Sequence, residues 1–289
     1  MSFRTVLISQ PAKLSFKDNF LLIRGESTNM IHLSEIHTII IESSMVQITA
    51  RLMNEMINFK IKLIICDERH NPSAELVPYN ASFNSTKKIL NQIAWDKYNK
   101  DLIWTHIIAN KIKNQAKILQ KHNCANSEML FKYIEEIELG DVTNREGHSA
   151  KVYFNSLFGK DFVRGGGSSE SAALDYGYTI LLSAFNRCIS NLGYLNQIGI
   201  KHKNEFNHYN LACDLIEPFR VLVDDIVFQN KGRLLDVEYK KELVNVLNQE
   251  IFYIGKKILV INAIPIFVGK CLKAVEENTM EYVPYEYGV

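Results

Sequence analysis

Three short segments hold the residues best suited to do chemistry. They are Thr143-Asn144-Arg145-Glu146-Gly147-His148-Ser149-Ala150, Gly199-Ile200-Lys201-His202, and Asn210-Leu211-Ala212-Cys213-Asp214-Leu215-Ile216-Glu217-Pro218-Phe219-Arg220. Carboxylates and an imidazole stand there beside cationic or backbone groups able to hold a phosphate, the raw material of a divalent metal site for phosphodiester chemistry. Each residue also has a plainer reading. Glu146 follows Thr143 at capping-box spacing, so it either satisfies an orphan amide at a helix start or points from the first turn into a cleft. Asp214 and Glu217 share one face of a helix. They either form an acidic face paired with Arg220 or flank the apolar stripe of Leu211, Leu215, Phe219, Leu222 and Ile226. Pro218 is expected to kink or restart that helix, because it lacks an N–H and crowds the preceding turn. His202 lies in a polar loop, either as a solvated side chain or as a ligand, with Glu205 and His208 as alternatives. One imidazole with two carboxylates suits Mg²⁺ or Mn²⁺, and the nitrogen tilts the choice toward Mn²⁺. On a regular helix Cys213 points away from Glu217, which disfavours zinc.

These segments need elements to position them. At 289 residues the chain suits two modest domains. The formal charge of +1 gives no global argument for nucleic-acid binding, but the distribution does. Between Lys87 and Lys121 eight lysines face only Asp96 and Asp101, with Trp95, Tyr98 and Trp104 interleaved. Such a stretch either tracks a phosphate backbone or is a helix with a solvated lysine face and its aromatics in the core. Five widely spaced cysteines without a CxxC pair argue against a zinc ribbon or disulfide framework and for a reducing compartment. The start, Met1-Ser2-Phe3-Arg4, lacks a signal-peptide core, and the apolar run 251–268 is broken by Lys256-Lys257 and Pro265. A cytoplasmic protein without a membrane span is expected.

The expected fold class is α+β in two domains: a small N-terminal β-rich domain over 1–79, a linker at 80–87, a larger all-α domain over 88–280 and a tail at 281–289. Strands are predicted at 5–8, 13–16, 20–23, 38–41 and 62–66, with a hairpin loop at Lys17-Asp18-Asn19 and a helix over 48–59. Helices are predicted near 88–121, 127–139, 144–158, 171–193, 210–229, 236–254 and 262–277. The Gly165-Gly166-Gly167-Ser168-Ser169 run reads as a flexible loop without a phosphate-binding pattern, and the polar, aromatic tail from Glu281 reads as loose.

The text "NREGHSAKVYFNSLFG" at 144–159, "ALDYGYTILLSAFNR" at 173–187, "IGIKHKNEFNHYNLACDLIEPFRVLVDDIV" at 198–227 and "IHLSEIHTIIIE" at 31–42 resembles the CRISPR-associated integrase, the first-numbered, near-universal Cas protein of spacer acquisition. The likeness spans most of the chain and is closest to the type II-A branch. It implies an N-terminal β-domain that forms a homodimer, a helical catalytic domain, and two such dimers bridged by a dimer of the small companion Cas protein. Double-stranded DNA, both prespacer and leader-repeat, is the implied partner. Other type II-A adaptation proteins and the RNA-guided effector nuclease are further candidates. Matched motif by motif, the family's metal ligands fall on Glu146, His202 and Glu217. Asp214 takes a supporting acidic position, and Arg220 and Lys201 fall near phosphate contacts. Lys111 and Lys113, from the basic stretch, join them as DNA-binding candidates. Ser171 stands where relatives tend to carry asparagine, and the triple-glycine loop is also a departure.

The expected reaction is transesterification, in which the 3′-hydroxyl of a short duplex attacks a phosphodiester at the repeat border. It needs neither a covalent enzyme intermediate nor ATP, in keeping with a sequence that has no recognisable nucleophile triad or Walker motif. The alternatives are a metal-dependent endonuclease that cuts without joining and a non-catalytic DNA-binding assembly subunit.

Overall fold

The structure, a computed structural model, describes residues 4–68, 72–76, 78, 84–277 and 284–288. The chain divides into two compact units, residues 1–80 and 81–289. The first is β-rich and the second mostly helical, the two-domain α+β organisation expected. Residues 80–83 of the expected linker, 278–280, and 281–283 and 289 of the tail lie outside the described residues.

The first unit runs β1 (Arg4–Ile8), β2 (Lys13–Lys17), β3 (Phe20–Arg24), β4 (Thr28–His32), β5 (Ile36–Ile41), β6 (Gln47–Ile48), α1 (Ala50–Asn58), β7 (Lys62–Cys66) and β8 (Pro72–Glu75). Two four-stranded sheets form, in the orders β1-β5-β7-β8 and β4-β3-β2-β6. In the first, β5 pairs in parallel with β1 and β7, and β8 closes the edge antiparallel. The unbroken run Ile39-Ile40-Ile41 suits a central strand covered on both faces. Asp18 and Asn19, at φ 48° and 66°, make the tight β2–β3 turn. Leu14, Leu21, Leu33, Leu52 and Met56 are fully buried in the core of this unit. Three strands of this unit were not expected, β4, β6 and β8. All are sheet edges with short, polar or proline-containing sequences, and edges carry the weakest alternation.

The second unit runs α2 (Ser85–Ile93), α3 (Lys97–Lys121), α4 (Ser127–Glu135), α5 (Arg145–Phe158), α6 (Ser169–Leu192), α7 (Asn210–Leu215), a 3₁₀ turn (Glu217–Phe219), α8 (Arg220–Gln229), α9 (Val237–Val244), β9 (Glu250–Tyr253), β10 (Lys256–Leu259) and α10 (Val260–Glu277). The helix predicted at 88–121 is two helices, because the Asp96 carboxylate caps the amides of Tyr98 and Asn99 and starts α3 afresh. The helix predicted at 236–254 ends early and gives way to the β9–β10 hairpin, turned by Ile254 and Gly255 at φ 52° and 72°. The break expected at Pro218 is the 3₁₀ turn. The tail is a further correction: Pro284–Gly288 is docked rather than loose, with Tyr285 1% exposed. The triple-glycine loop is likewise held, since the Gly165 amide donates to Ser171 Oγ at 2.8 Å. Among the described residues no helix is long and apolar enough to cross a membrane.

Helix α3 is the axis of this unit and packs against α4, α5, α8, α10 and the 3₁₀ turn. Ile103, Trp104, Ile107, Ile108, Ile112, Ile118 and Leu119 are buried along it. A second tie joins α5, α6 and α8. The Tyr153 hydroxyl donates to Asp224 at 2.9 Å and the Tyr178 hydroxyl to its other oxygen, all three buried. Burial pushes the Asp224 carboxyl up to about 6, against the opposing pull of the two tyrosine hydrogen bonds and the Arg220 and Arg164 charges. An aspartate whose folded value exceeds its unfolded one keeps its proton longer in the native state. Its contribution to stability is therefore full below about 4 and lost as pH rises through about 6, an effect of at most about 3 kcal/mol. Asp224→Asn removes this titration. Its Tm relative to the native chain is expected to improve from about pH 4 to about pH 7; a pH-independent difference measured by calorimetry would contradict the assignment.

Candidate active site

The break in the helix at Pro218 sets the first donor. α7 ends at Leu215 and α8 begins at Arg220, so Glu217 projects from a 3₁₀ turn instead of a continuous helix. Its carboxylate is buried, with Arg220 Nε donating to Oε1 at 2.9 Å and Lys111 Nζ lying 2.6 Å from Oε2. Burial alone would raise this carboxyl, but the Arg220 and Lys111 charges more than reverse that and hold it well below the ordinary carboxylate range. Arg220 is itself stacked over the Tyr178 ring at 4.6 Å.

Glu146 reaches the same place from α5. The capping-box reading fails at its first residue: the N-cap is Asn144, in the left-handed region at φ 54°, whose Oδ1 accepts from the Gly147 amide. The Asp141 carboxylate accepts from the amides of Arg145 and Glu146 at 2.8 and 3.1 Å. The helix start is satisfied without Glu146, whose Oε1 instead takes a hydrogen bond from Lys111 Nζ at 2.8 Å. The Lys111 ammonium thus sits between two carboxylates from separate segments. It is 7% exposed, and although burial disfavours the charge, Glu217 and Glu146 raise its pKa.

His202 is aimed by Asp214, which is fully buried on α7. Asp214 Oδ2 accepts from the amides of Ile200 and Lys201 at 2.6 and 3.0 Å, and Oδ1 from the His202 amide at 3.1 Å. The same Oδ1 lies 2.6 Å from His202 Nδ1. This fixes Nδ1 as the donor and leaves Nε2 as the ring nitrogen for other work. The Asp214 hydrogen bond raises the His202 pKa, burial opposes it, and the charges of Asp214, Glu217 and Glu146 add to it. The Trp104 ring packs on the imidazole in a T at 5.7 Å.

The remaining expected residues separate. Asp214 is spent on the loop and on His202. Glu205 and His208 are exposed. Lys201 Nζ donates to the Gly140 carbonyl at 2.6 Å. Lys113 pairs with Glu286 at 2.6 Å. Lys111, expected on a DNA-facing surface, is buried inside the site instead, because its stem runs along the packed face of α3. Trp95 and Trp104 are core residues, and Tyr98 is exposed. Lys111's place between the carboxylates was missed. The signal for it lies in α3, where Ile107, Lys111, Asn114 and Ile118 fall on one stripe and two of the four are polar.

Among the described residues no three His, Cys, Asp or Glu side chains stand close enough together to share an ion as placed. The donor chemistry nevertheless fits a hard divalent cation. Two carboxylates are already gathered round a cation, the ammonium of Lys111. The buried Glu217 Oε2 receives no well-directed hydrogen bond despite that neighbour. The imidazole brings the carboxylate partner that metal-binding histidines carry.

A family model described as CRISPR associated protein Cas1 matches residues 5–251. The chain belongs to the Cas1 family. It is 36% identical over 260 residues to the CRISPR-associated endonuclease Cas1 of Neisseria meningitidis serogroup C (strain 8013), covering 87% of this chain and 85% of the relative. Among solved structures, a casposase bound to integration product superposes with a TM-score of 0.78 at 19% identity, over 100% of this chain and 96% of that one. A Cas6-RT-Cas1–Cas2 complex superposes with a TM-score of 0.73 at 17% identity, over 98% of this chain and 36% of that one. At these identities the two structures speak to the fold.

Gly199 is where this geometry is most exposed to a small change. A Cβ there would lie 2.5 Å from the His202 carbonyl oxygen and 2.7 Å from Asp214 Oδ2. Gly199→Ala is expected to lower stability by about 1–3 kcal/mol and to shift the His202 ring resonances in NMR. An unchanged His202 spectrum would show that the loop does not aim the ring.

Proposed function

We propose that this chain is a metal-dependent DNA integrase of CRISPR adaptation, joining the 3′-hydroxyl ends of short duplex DNA to the leader-proximal repeat by transesterification. The observation that carries the reading is the meeting of Glu146 and Glu217 on one buried cation, with His202 held by Asp214 beside them. Family membership and the fold shared with a casposase bound to integration product support it. A small companion protein fits the reading too, since a structural neighbour is a Cas1–Cas2 complex.

In this reading Glu146, His202 and Glu217 hold Mg²⁺ or Mn²⁺. The bound ion supplies Lewis-acid polarisation of the phosphoryl oxygen and offsets charge on the attacking and leaving oxygens. Asp214 keeps the His202 proton on Nδ1 so that Nε2 presents its lone pair. Arg220 braces Glu217 through Oε1 and leaves Oε2 to the site. Lys111 neutralises the two carboxylates, and with a cation held by them its ammonium would be available to a phosphate oxygen. The small companion dimer, homodimerisation and a double-stranded DNA partner complete the proposal.

The test is a plasmid integration assay with a labelled short duplex and a supercoiled leader-repeat plasmid, with and without the companion. Label entering the plasmid with Mn²⁺, absent with EDTA and in Glu217→Ala, is the expected result. Nicking without joining would make the protein the endonuclease that its relative's name describes, and neither product would leave an assembly subunit. A second prediction concerns Lys111. Lys111→Met leaves the half-buried Glu146 unpaired and the buried Glu217 with Arg220 alone, so without metal it should cost about 1–3 kcal/mol of stability, while Mn²⁺ should bind more tightly than to the native chain and restore much of the loss. Weaker Mn²⁺ binding in calorimetry would contradict the exchange of ammonium for ion.

A further inference from the structure

The 3₁₀ turn that carries Glu217 has little support from its own chain. Between α7 and α8 the helical ladder is interrupted, Pro218 has no N–H to give, and the Phe219 amide bonds back only to Ile216 at 2.8 Å. Arg220 and Lys111 hold the Glu217 carboxylate itself, but the place of the backbone that carries it must be set by what packs on the turn. Much of that packing comes from the far end of the sequence.

The Tyr285 ring lies stacked on Phe219 at 4.6 Å and 20°, and Phe219 also meets Phe267 and Phe185 edge-on at 5.1 and 5.3 Å. Beneath the rings is a backbone clasp. Asn114 Nδ2 donates to the Pro218 carbonyl at 3.0 Å and to the Tyr285 carbonyl at 2.9 Å. Asn114 Oδ1 accepts from the Tyr287 amide at 2.9 Å, and Asn110 Nδ2 adds a second bond to the Tyr285 carbonyl at 2.7 Å. One fully buried amide side chain therefore joins the turn and the tail. Outer contacts fasten the rest: Glu286 pairs with Lys113 and Lys117, and the Tyr287 hydroxyl bonds Asp225 and Lys121. Open cavities of about 250 and 620 Å³ are lined in part by this segment. It is a strap laid across the unit and held by side chains.

We propose that Pro284–Gly288 is a structural part of the active site, and that Tyr285 is a positioning residue acting on Glu217 through Phe219 and the Pro218 carbonyl. This rests on the reading of Glu217 as a metal ligand, and it adds to the site a residue that touches none of the donors.

The test is Mn²⁺ binding by calorimetry on the full chain, with hydrogen exchange over residues 216–220 as a metal-free readout. Tyr285→Ala should weaken Mn²⁺ binding by about 10- to 100-fold, the range for outer partners of metal ligands, and speed exchange in the turn. Tyr285→Phe keeps the ring and should behave as the native chain. A chain ending at residue 283 should show the Tyr285→Ala defect and recover when a peptide of residues 284–289 is added. If Tyr285→Ala does not fold, Tyr285→Leu keeps the apolar volume without the stacking and carries the same expectation. Native Mn²⁺ affinity and native exchange in the alanine or leucine variant would overturn the strap. Failure of the native chain to bind Mn²⁺ would refute the ligand reading instead, and exchange in the turn would still decide the strap.

Discussion

Burying like charges together is the constraint on which this site depends. The buried Glu217 and the half-buried Glu146 are drawn to one ammonium, and a buried carboxylate left unpaired there would cost several kcal/mol. The Lys111 ammonium between them, and Arg220 against Glu217, make the arrangement tolerable. The same physics obliges α3 to send a lysine into the core.

The elements around it serve that constraint. Asp141 and Asn144 satisfy the start of α5 so that Glu146 is not spent on capping. The interruption at Pro218 turns Glu217 away from a regular helix face, and the Asn114 clasp and Phe219 stack hold the turn. Asp214 gathers three amides and an imidazole on one buried carboxylate, which ties down the 199–202 loop. Function here depends on irregular backbone: a short 3₁₀ turn, a tight loop and a helix cap, each tied down by one buried polar side chain.

How much of this could be read beforehand follows from the range of the forces. The two-domain α+β fold, the strands with β-branched runs and the helices with clear apolar stripes were legible, because periodicity reports burial directly. The split of 88–121 at Asp96 and the hairpin in 250–259 were not, since a single cap and one Ile-Gly turn outweighed an apolar pattern that fits helix and strand alike. Glu146, His202, Asp214 and Glu217 stood out by type and motif; the structure joins Glu146 to Glu217 through Lys111 and His202 to Asp214. Lys111 and Tyr285 did not stand out. Their roles come from contacts across 35 and 66 residues of chain, and only the buried polar stripe on α3 hinted at the first. The capping reading of Glu146 failed for a local reason, because Asn144 caps better from a left-handed turn than Thr143 does from its place.

The most direct measurement is electron spin-echo spectroscopy of Mn²⁺ added to the purified chain. A nitrogen coupling from one directly bound imidazole is expected, lost in His202→Gln and retained in His208→Gln. A spectrum with no nitrogen coupling, or one that survives His202→Gln, would contradict the proposed ligand set.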